Sequence, residues 1–436
     1  MPQDTEGALQ EAYSVAQRFL ATKTHDPAES DECRLPPLEV AEKNTQTWHW
    51  DDQTPLFEIP LMRGEAFSGS IIVSTVRSLP PVAIYRTHGT TFAKWVTDYL
   101  SKTDVLKTFE TTALYLISPL EPVVKVRHRK TGAISFLALP DLREYSIPPE
   151  HQDLPLIIRD RLPSRMGRVI DAEWGLLEKT AVSRTMVIKD VIRPVKYQQA
   201  CDSYVRDIVG QSGGNYCTPR GIAGCVPVAW AMMASSMKKG YEARIWAGVA
   251  GWDIDWPSCG GNCNPSQCDA VSQTIWGVHA HVGTTPDGGT DTGREAEGGN
   301  YLTSAFNLEP PGTWPGWVPQ SPDMNRIRTL INIRLRPVFY SGFGQWPHLW
   351  ERLARELRLG DIISPRTRGG GTDGHAVVAY GCDLDGYLLY ICFGWGNDPR
   401  NADAWIDLGW YQDAQIVFNQ YWGPDSDASR YQAKEL

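Results

Sequence analysis

Two short segments, far apart in the chain, carry the residues best suited to covalent chemistry. The first is GIAGCVPVAWAMMASSMKKG at 221–240. Val226, Trp230, Met233 and Met237 recur there at helical spacing. Pro227 falls in the first turn, where a missing N–H costs nothing, and Gly224 allows a tight approach to the helix. The pattern therefore puts Cys225 at a helix N-terminus, where the positive end of the helix dipole favours thiolate over thiol. A thiolate is what a cysteine nucleophile requires. Taken alone, the segment is equally readable as a buried structural cysteine or half of a disulfide.

The second segment is GGGTDGHAVVAYGCDLDGYLLYICFGWGND at 369–398. His375 opens a strand directly after a glycine-rich loop, and a histidine at a cleft edge can serve as general base for a nearby thiol. The run YLLYICFGW predicts a second strand, returning as a hairpin around Asp385–Gly386 and bringing Trp395 beside the histidine strand. An indole there would shield the imidazole and hold its orientation. A lone histidine is more often a satisfied surface or core residue. Among the other histidines, His279, His281 and His348 come next.

These segments need elements to carry them. Residues 1–30 read as an amphipathic helix, with Leu9, Tyr13, Ala16, Phe19 and Leu20 on one face. Residues 31–56 read as loop. From Leu56 to Asp141, β-branched and aromatic runs bounded by turn residues predict strands: LFEIPLM, SGSIIVSTV, PPVAIYR, TALYLISPL, PVVKVRH and AISFLALP. One helix, from about Phe92 to Leu106, interrupts them. Residues 1–145 thus form a compact α+β region. Residues 146–195 form a linker, with RDRLPSRMGR as an exposed site for proteolytic cutting and a polar helical stretch around Asp171–Ser183. Residues 196–436 are dense in Gly, Trp and Cys. There the Cys225 helix runs to about Tyr241, and 326–423 reads as a helix and then strands, RPVFYSGF, HAVVAYGC and YLLYICFGW being the clearest.

The 436 residues suffice for two or three domains, and 42% apolar with 21% charged residues is ordinary for a globular protein. A net charge of −9 argues against nucleic acid as partner. No apolar run is long enough for a membrane-spanning helix, and the N-terminus lacks the pattern of a secretory signal. The expectation is a cytoplasmic or non-classically exported protein. The nine cysteines leave room for one reactive thiol plus pairs. Cys259, Cys263 and Cys268 in SCGGNCNPSQC are loosely zinc-like in spacing, but only His279 or His281 offers a fourth ligand, so a disulfide or plain loop is the better reading. The acidic stretch 286–297 lacks EF-hand spacing and reads as a solvated loop. Trp346, Trp350 and the tryptophans of 314–317 fit either a cleft or a core.

Taken together, Gly224–Cys225 followed by AWAMM, RPVFYSG at 336–342, Gly-His-Ala-Val at 374–377 and Gly-Trp-Gly at 394–396 resemble the streptopain-like cysteine peptidases of the papain-like superfamily. Four motifs in order, with 150 positions from Cys225 to His375 and 20 more to Trp395, cover about residues 196–423. The resemblance implies a papain-like domain: a helix carrying Cys225 packed on a β-barrel-like sheet carrying His375. AYSVAQRFL, FEIPL, GSIIVST and ALYLISPL are similar to the propeptide of such zymogens. That implies an N-terminal region acting as intramolecular inhibitor, with processing within 145–200.

The implied activity is that of a cysteine endopeptidase acting on peptide or protein substrates, with no cofactor and no metal. Cys225 attacks the scissile carbonyl, His375 takes the thiol proton and later protonates the leaving amine, and water hydrolyses the thioester. The position of papain's histidine-orienting Asn is Phe393, as in streptopain-like enzymes. Asn397 or Asp398 is left to orient the imidazole. Papain's upstream Gln has no counterpart, since position 219 is Pro, and Gln211 or Asn215 is the oxyanion candidate beside the Cys225 N–H. The same cysteine and histidine would equally serve a transglutaminase-like acyltransferase, and a binding protein on a degenerate peptidase fold is the non-enzymatic rival.

Overall fold

The structure is a computed structural model. It describes residues 5–25, 36–51, 53–101, 103–119, 121–139, 143–145, 167–179, 184–188, 223–231, 275, 277–285, 288–291, 294, 297–298, 329–334, 357–363, 374–383, 388–393, 403–407 and 413–419. Across them the chain is mixed α+β, and its seventeen described strands connect into one network of pairings.

Helix α1 (Thr5–Thr22) places Tyr13, Ala16 and Phe19 in the core, with Leu9 and Leu20 packed at its margin, as their spacing predicts. It lies on one face of the strands β4 (Thr54–Arg63), β5 (Ala66–Ser74) and β6 (Val82–Arg86), through Phe57, Ile59, Leu61, Ile71, Val73 and Tyr85. Phe19 meets Tyr85 edge to face at 5.4 Å. The opposite face of β4 holds Glu58, which contacts helix α2 (Phe92–Ser101). Because both faces are covered, Leu56 to Leu61 are all buried, and the sequence there reads as a nearly continuous apolar run.

The helix expected over 92–106 is two pieces, α2 and α3 (Val105–Thr108). Leu100 O accepts from Thr103 N and Oγ1 at the break, a local turn that ends α2. The segment read as loop contains strands instead: β2 (Glu39–Val40) and β3 (Gln46–Asp51), both paired to β4. In β3 the alternation of Trp48 and Trp50 between polar residues buries both indoles, a period-2 signal hidden by polar composition.

The strands β7 (Phe109–Ser118), β8 (Glu121–His128) and β9 (Ile134–Ala138) follow as an antiparallel meander, with β10 (Arg143–Tyr145) on β9. The helix Gly167–Glu178 buries Ile170, Trp174 and Leu177 in the same core as α1, and β11 (Arg184–Ile188) pairs with β1 (Lys23–His25).

In the C-terminal region, β14 (Gly374–Asp383) and β15 (Leu388–Cys392) form the expected antiparallel pair, and β16 (Ala404–Asp407) continues the sheet. β13 (Leu357–Ile363) and β17 (Asp413–Asn419) pair with each other, and β13 also pairs with the first part of β14. The end region does not open on a helix: Thr329–Arg334 is a strand, β12, paired to β17. RPVFYSGF at 336–343 lies outside the described residues.

The two regions share one sheet. β6 pairs with β16 through Tyr85–Trp405 and Ile84–Ile406, and β11 pairs with β14 through Met186–Asp383 to Ile188–Gly381. Among the described residues, no helix is long and apolar enough to cross a membrane.

Candidate functional site

The site is built on a sharp corner. Residues 225–231 are helical, starting at Cys225 as the sequence predicts, and Val226, Ala229 and Trp230 are buried in the core. Gly224 takes a φ of +87°, which strains any residue with a Cβ. It is also wedged. A Cβ there would lie 2.7 Å from the Thr284 methyl and 2.8 Å from the Gly288 carbonyl oxygen. The corner therefore presses against the turn that follows the helix at 277–282, and glycine is required by both conformation and space.

That turn is held from several sides. His279, 8% exposed, has Nδ1 3.0 Å from the carbonyl oxygen of Ala223, two residues before the cysteine. Thr284 N donates to His279 O, and the Thr284 and Thr290 hydroxyls are 2.8 Å apart. Arg294 closes the outside: Nη2 donates to His281 O at 2.7 Å and Nε to Glu297 Oε2 at 3.1 Å. On the inner side, the fully buried Trp230 lies against Gly298, where a Cβ would overlap the indole.

Cys225 itself is partly exposed and not in a disulfide; its side chain packs at the margin of the core. His375 is the second residue of β14, backbone-paired with Ile362 of β13. Ala376 and Val378, next along that strand, lie in the same apolar core as Val226, Ala229 and Trp230. Cys392 is buried and not in a disulfide.

Phe393, matched by the resemblance to papain's orienting Asn, is buried and stacks on Phe92 of α2, with ring centroids 6.1 Å apart. The candidates Trp395, Asn397, Asp398, Gln211 and Asn215 lie outside the described residues, as do Cys217, Cys259, Cys263, Cys268, His348, Trp346, Trp350 and the tryptophans of 314–317. No group of His, Cys, Asp or Glu among the described residues could hold a metal ion. Within 286–297, Gly288 N donates to Thr285 O and Arg294 N to Asp291 O, both at 2.8 Å.

In the sequence His279 ranks behind His375, and Thr284 and Gly288 carry no signal of a role. The local signal for the turn was the glycine density around 283–289. Nothing in the sequence linked it to Ala223, 56 positions away.

A second polar centre lies on the other side of β4. Glu58 is fully buried and accepts from Trp48 Nε1 (3.0 Å), Ser70 Oγ (2.7 Å), Ala93 N (2.8 Å) and Phe92 N. The last two are the opening N–H groups of α2, so a strand carboxylate caps a helix it does not adjoin in sequence. Beside it, burial lowers the Arg86 guanidinium to about 10, a shift opposed by the charges of Glu58 and Asp403. It stays a cation at neutral pH.

No family model matches this chain, and neither does any curated protein.

Proposed function

We propose that this chain is a cysteine endopeptidase of papain-like fold, with Cys225 as nucleophile and His375 as general base and acid. The observation that carries the reading is the setting of Cys225: first residue of a helix, reached through a glycine at φ +87°, partly exposed and outside any disulfide. Such a thiol is poised to lose its proton and to reach a substrate carbonyl. The common core of its helix and the strand bearing His375 supports the pairing, since it places both elements in one packed unit. The β14–β15 register, with Val378 opposite Cys392, supports the hairpin on which the histidine strand was expected to meet Trp395.

In the reaction, the Cys225 thiolate adds to the scissile carbonyl and the oxyanion is met by the Cys225 backbone N–H. His375 carries the proton from the thiol to the leaving amine. Water then releases the acid from the thioester. Residues 1–145 act in this reading as the intramolecular inhibitor. The contact that supports it is Phe92 of the N-terminal region stacked on Phe393, which follows the strand paired with that of His375.

The test is hydrolysis of an unfolded protein substrate, with and without a primary amine acceptor, by the chain after cutting within 145–200 and by its Cys225→Ser and His375→Ala variants treated in the same way. The expected result is new substrate N-termini with the native chain only, and little amine incorporation. Cleavage that survives Cys225→Ser would exclude the mechanism. Dominant amine transfer would move the assignment to an acyltransferase.

A further inference from the structure

We infer that the N-terminal region is a permanent partner of the C-terminal sheet, docked strand to strand through β6 and β16, so that cutting the connecting segment leaves a two-piece molecule and releases nothing. This does not rest on Cys225 being a nucleophile.

Neither strand at the seam is an edge. β6 pairs with β5 on one side and β16 on the other, and β16 lies between β6 and β15. The four facing residues, Ile84, Tyr85, Trp405 and Ile406, are all buried. Here departure would strip a strand from the middle of a sheet, leaving unpaired backbone groups and a bared tryptophan on β16.

Both faces are bridged as well. On one, Tyr85 of the N-terminal region and Tyr390 and Trp405 of the C-terminal region belong to one core cluster, and the Tyr390 and Trp405 rings lie 5.0 Å apart. On the other, Phe92 stacks on Phe393. Charge is shared across the seam too. The fully buried Arg86 of β6 is stabilised as a cation by Glu58 from its own region and by Asp403 from the other. Separation would take a counter-charge from a group that burial already disfavours.

The connecting segment is itself tied to both regions. Trp174 Nε1 donates to Leu79 O at 2.9 Å, its ring lies 4.4 Å from the Arg77 guanidinium, and Arg77 pairs with Glu178 at 2.6 Å. Six residues past Glu178, β11 begins, and it joins β14, the strand of His375. Any activation by cutting would then work by rearrangement in place.

The test inserts a site-specific protease sequence after Glu150 in the full chain, cuts it to completion and measures mass by size exclusion with light scattering in native buffer. The expected result is one species with the mass of the uncut chain, persisting through a hundredfold dilution from micromolar concentration and parting only in denaturant. Pieces that separate without denaturant, whether the C-terminal one then stays folded or aggregates, would overturn the inference. Asp403→Asn in the cut protein locates the seam. It is expected to lower the denaturant concentration at which the pieces part to about half, and no change would overturn docking through the β6–β16 seam.

Discussion

Two helix N-termini in this molecule are finished in opposite ways. At α2 the first N–H groups meet a fully buried carboxylate, Glu58, which also takes hydrogen bonds from an indole and a hydroxyl. At residues 225–231 the first residue carries a partly exposed thiol, and the surrounding contacts hold the backbone: Gly224 wedged on Thr284 and Gly288, Ala223 O met by His279. The first arrangement uses the helix end to fasten strands, helix and core together. The second fixes the corner that carries a partly exposed cysteine. One helix end is used wholly for structure, and the other is the end on which the proposed nucleophile stands.

The sharpest way to break this contrast is at the two side chains. Cys225→Ser is expected to lower peptide hydrolysis by at least ~10³-fold, while its unfolding free energy stays within about 1 kcal/mol of the native chain. Peptide cleavage and urea titration measure the two. Glu58→Leu should do the reverse. It leaves the opening N–H groups of α2, the Trp48 indole and the Ser70 hydroxyl without their acceptor, and it removes a counter-charge from Arg86. A loss of about 3–5 kcal/mol in urea unfolding is expected, with Cys225 chemistry unchanged in the fraction still folded.

Gly224→Ala tests whether the corner is as tight as it looks. A methyl group would meet the Gly288 carbonyl and the Thr284 methyl at under 3 Å, in a backbone conformation that disfavours any Cβ. About 1–3 kcal/mol of stability should be lost, together with a slower reaction of Cys225 with a peptide electrophile. The smallest effect is expected at His279. His279→Leu removes the partner of Ala223 O and should cost about 1–2 kcal/mol. His279→Asn, whose amide N–H reaches a similar position, should recover most of it. Equal losses in the two variants would mean the imidazole acts by packing alone.

How far the sequence told this story differs between the two helix ends. The Cys225 end was legible because its signals are consecutive: Gly224 for the corner, Pro227 for the first turn, and apolar residues at helical spacing behind. The strands β4 to β9 were legible for the same reason, as was α1. Glu58 was not, because its partners are scattered along the chain, the nearest 10 positions away and the opening N–H groups of α2 34 and 35 positions away. In the run LFEIPLM it reads as an outward-facing acid. The β3 strand was hidden by its polar residues. β12 was misread because LINIRL offers a short apolar run whose helical and strand readings are separated only by its partner, β17, more than 80 positions on. The β6–β16 seam has no local signal at all: strand pairing across some 320 positions is written in the complementarity of two buried surfaces.

The most direct test of the central claim is the pH dependence of Cys225 alkylation by a peptide electrophile, read by mass spectrometry in the native chain and in His375→Ala. An unperturbed thiol reacts with a midpoint near pH 8.5. The account predicts a native midpoint well below that value, with a reactive plateau through neutral pH, and a return toward the ordinary thiol curve in His375→Ala. A native curve that already follows the ordinary thiol, and is indifferent to His375, would contradict it.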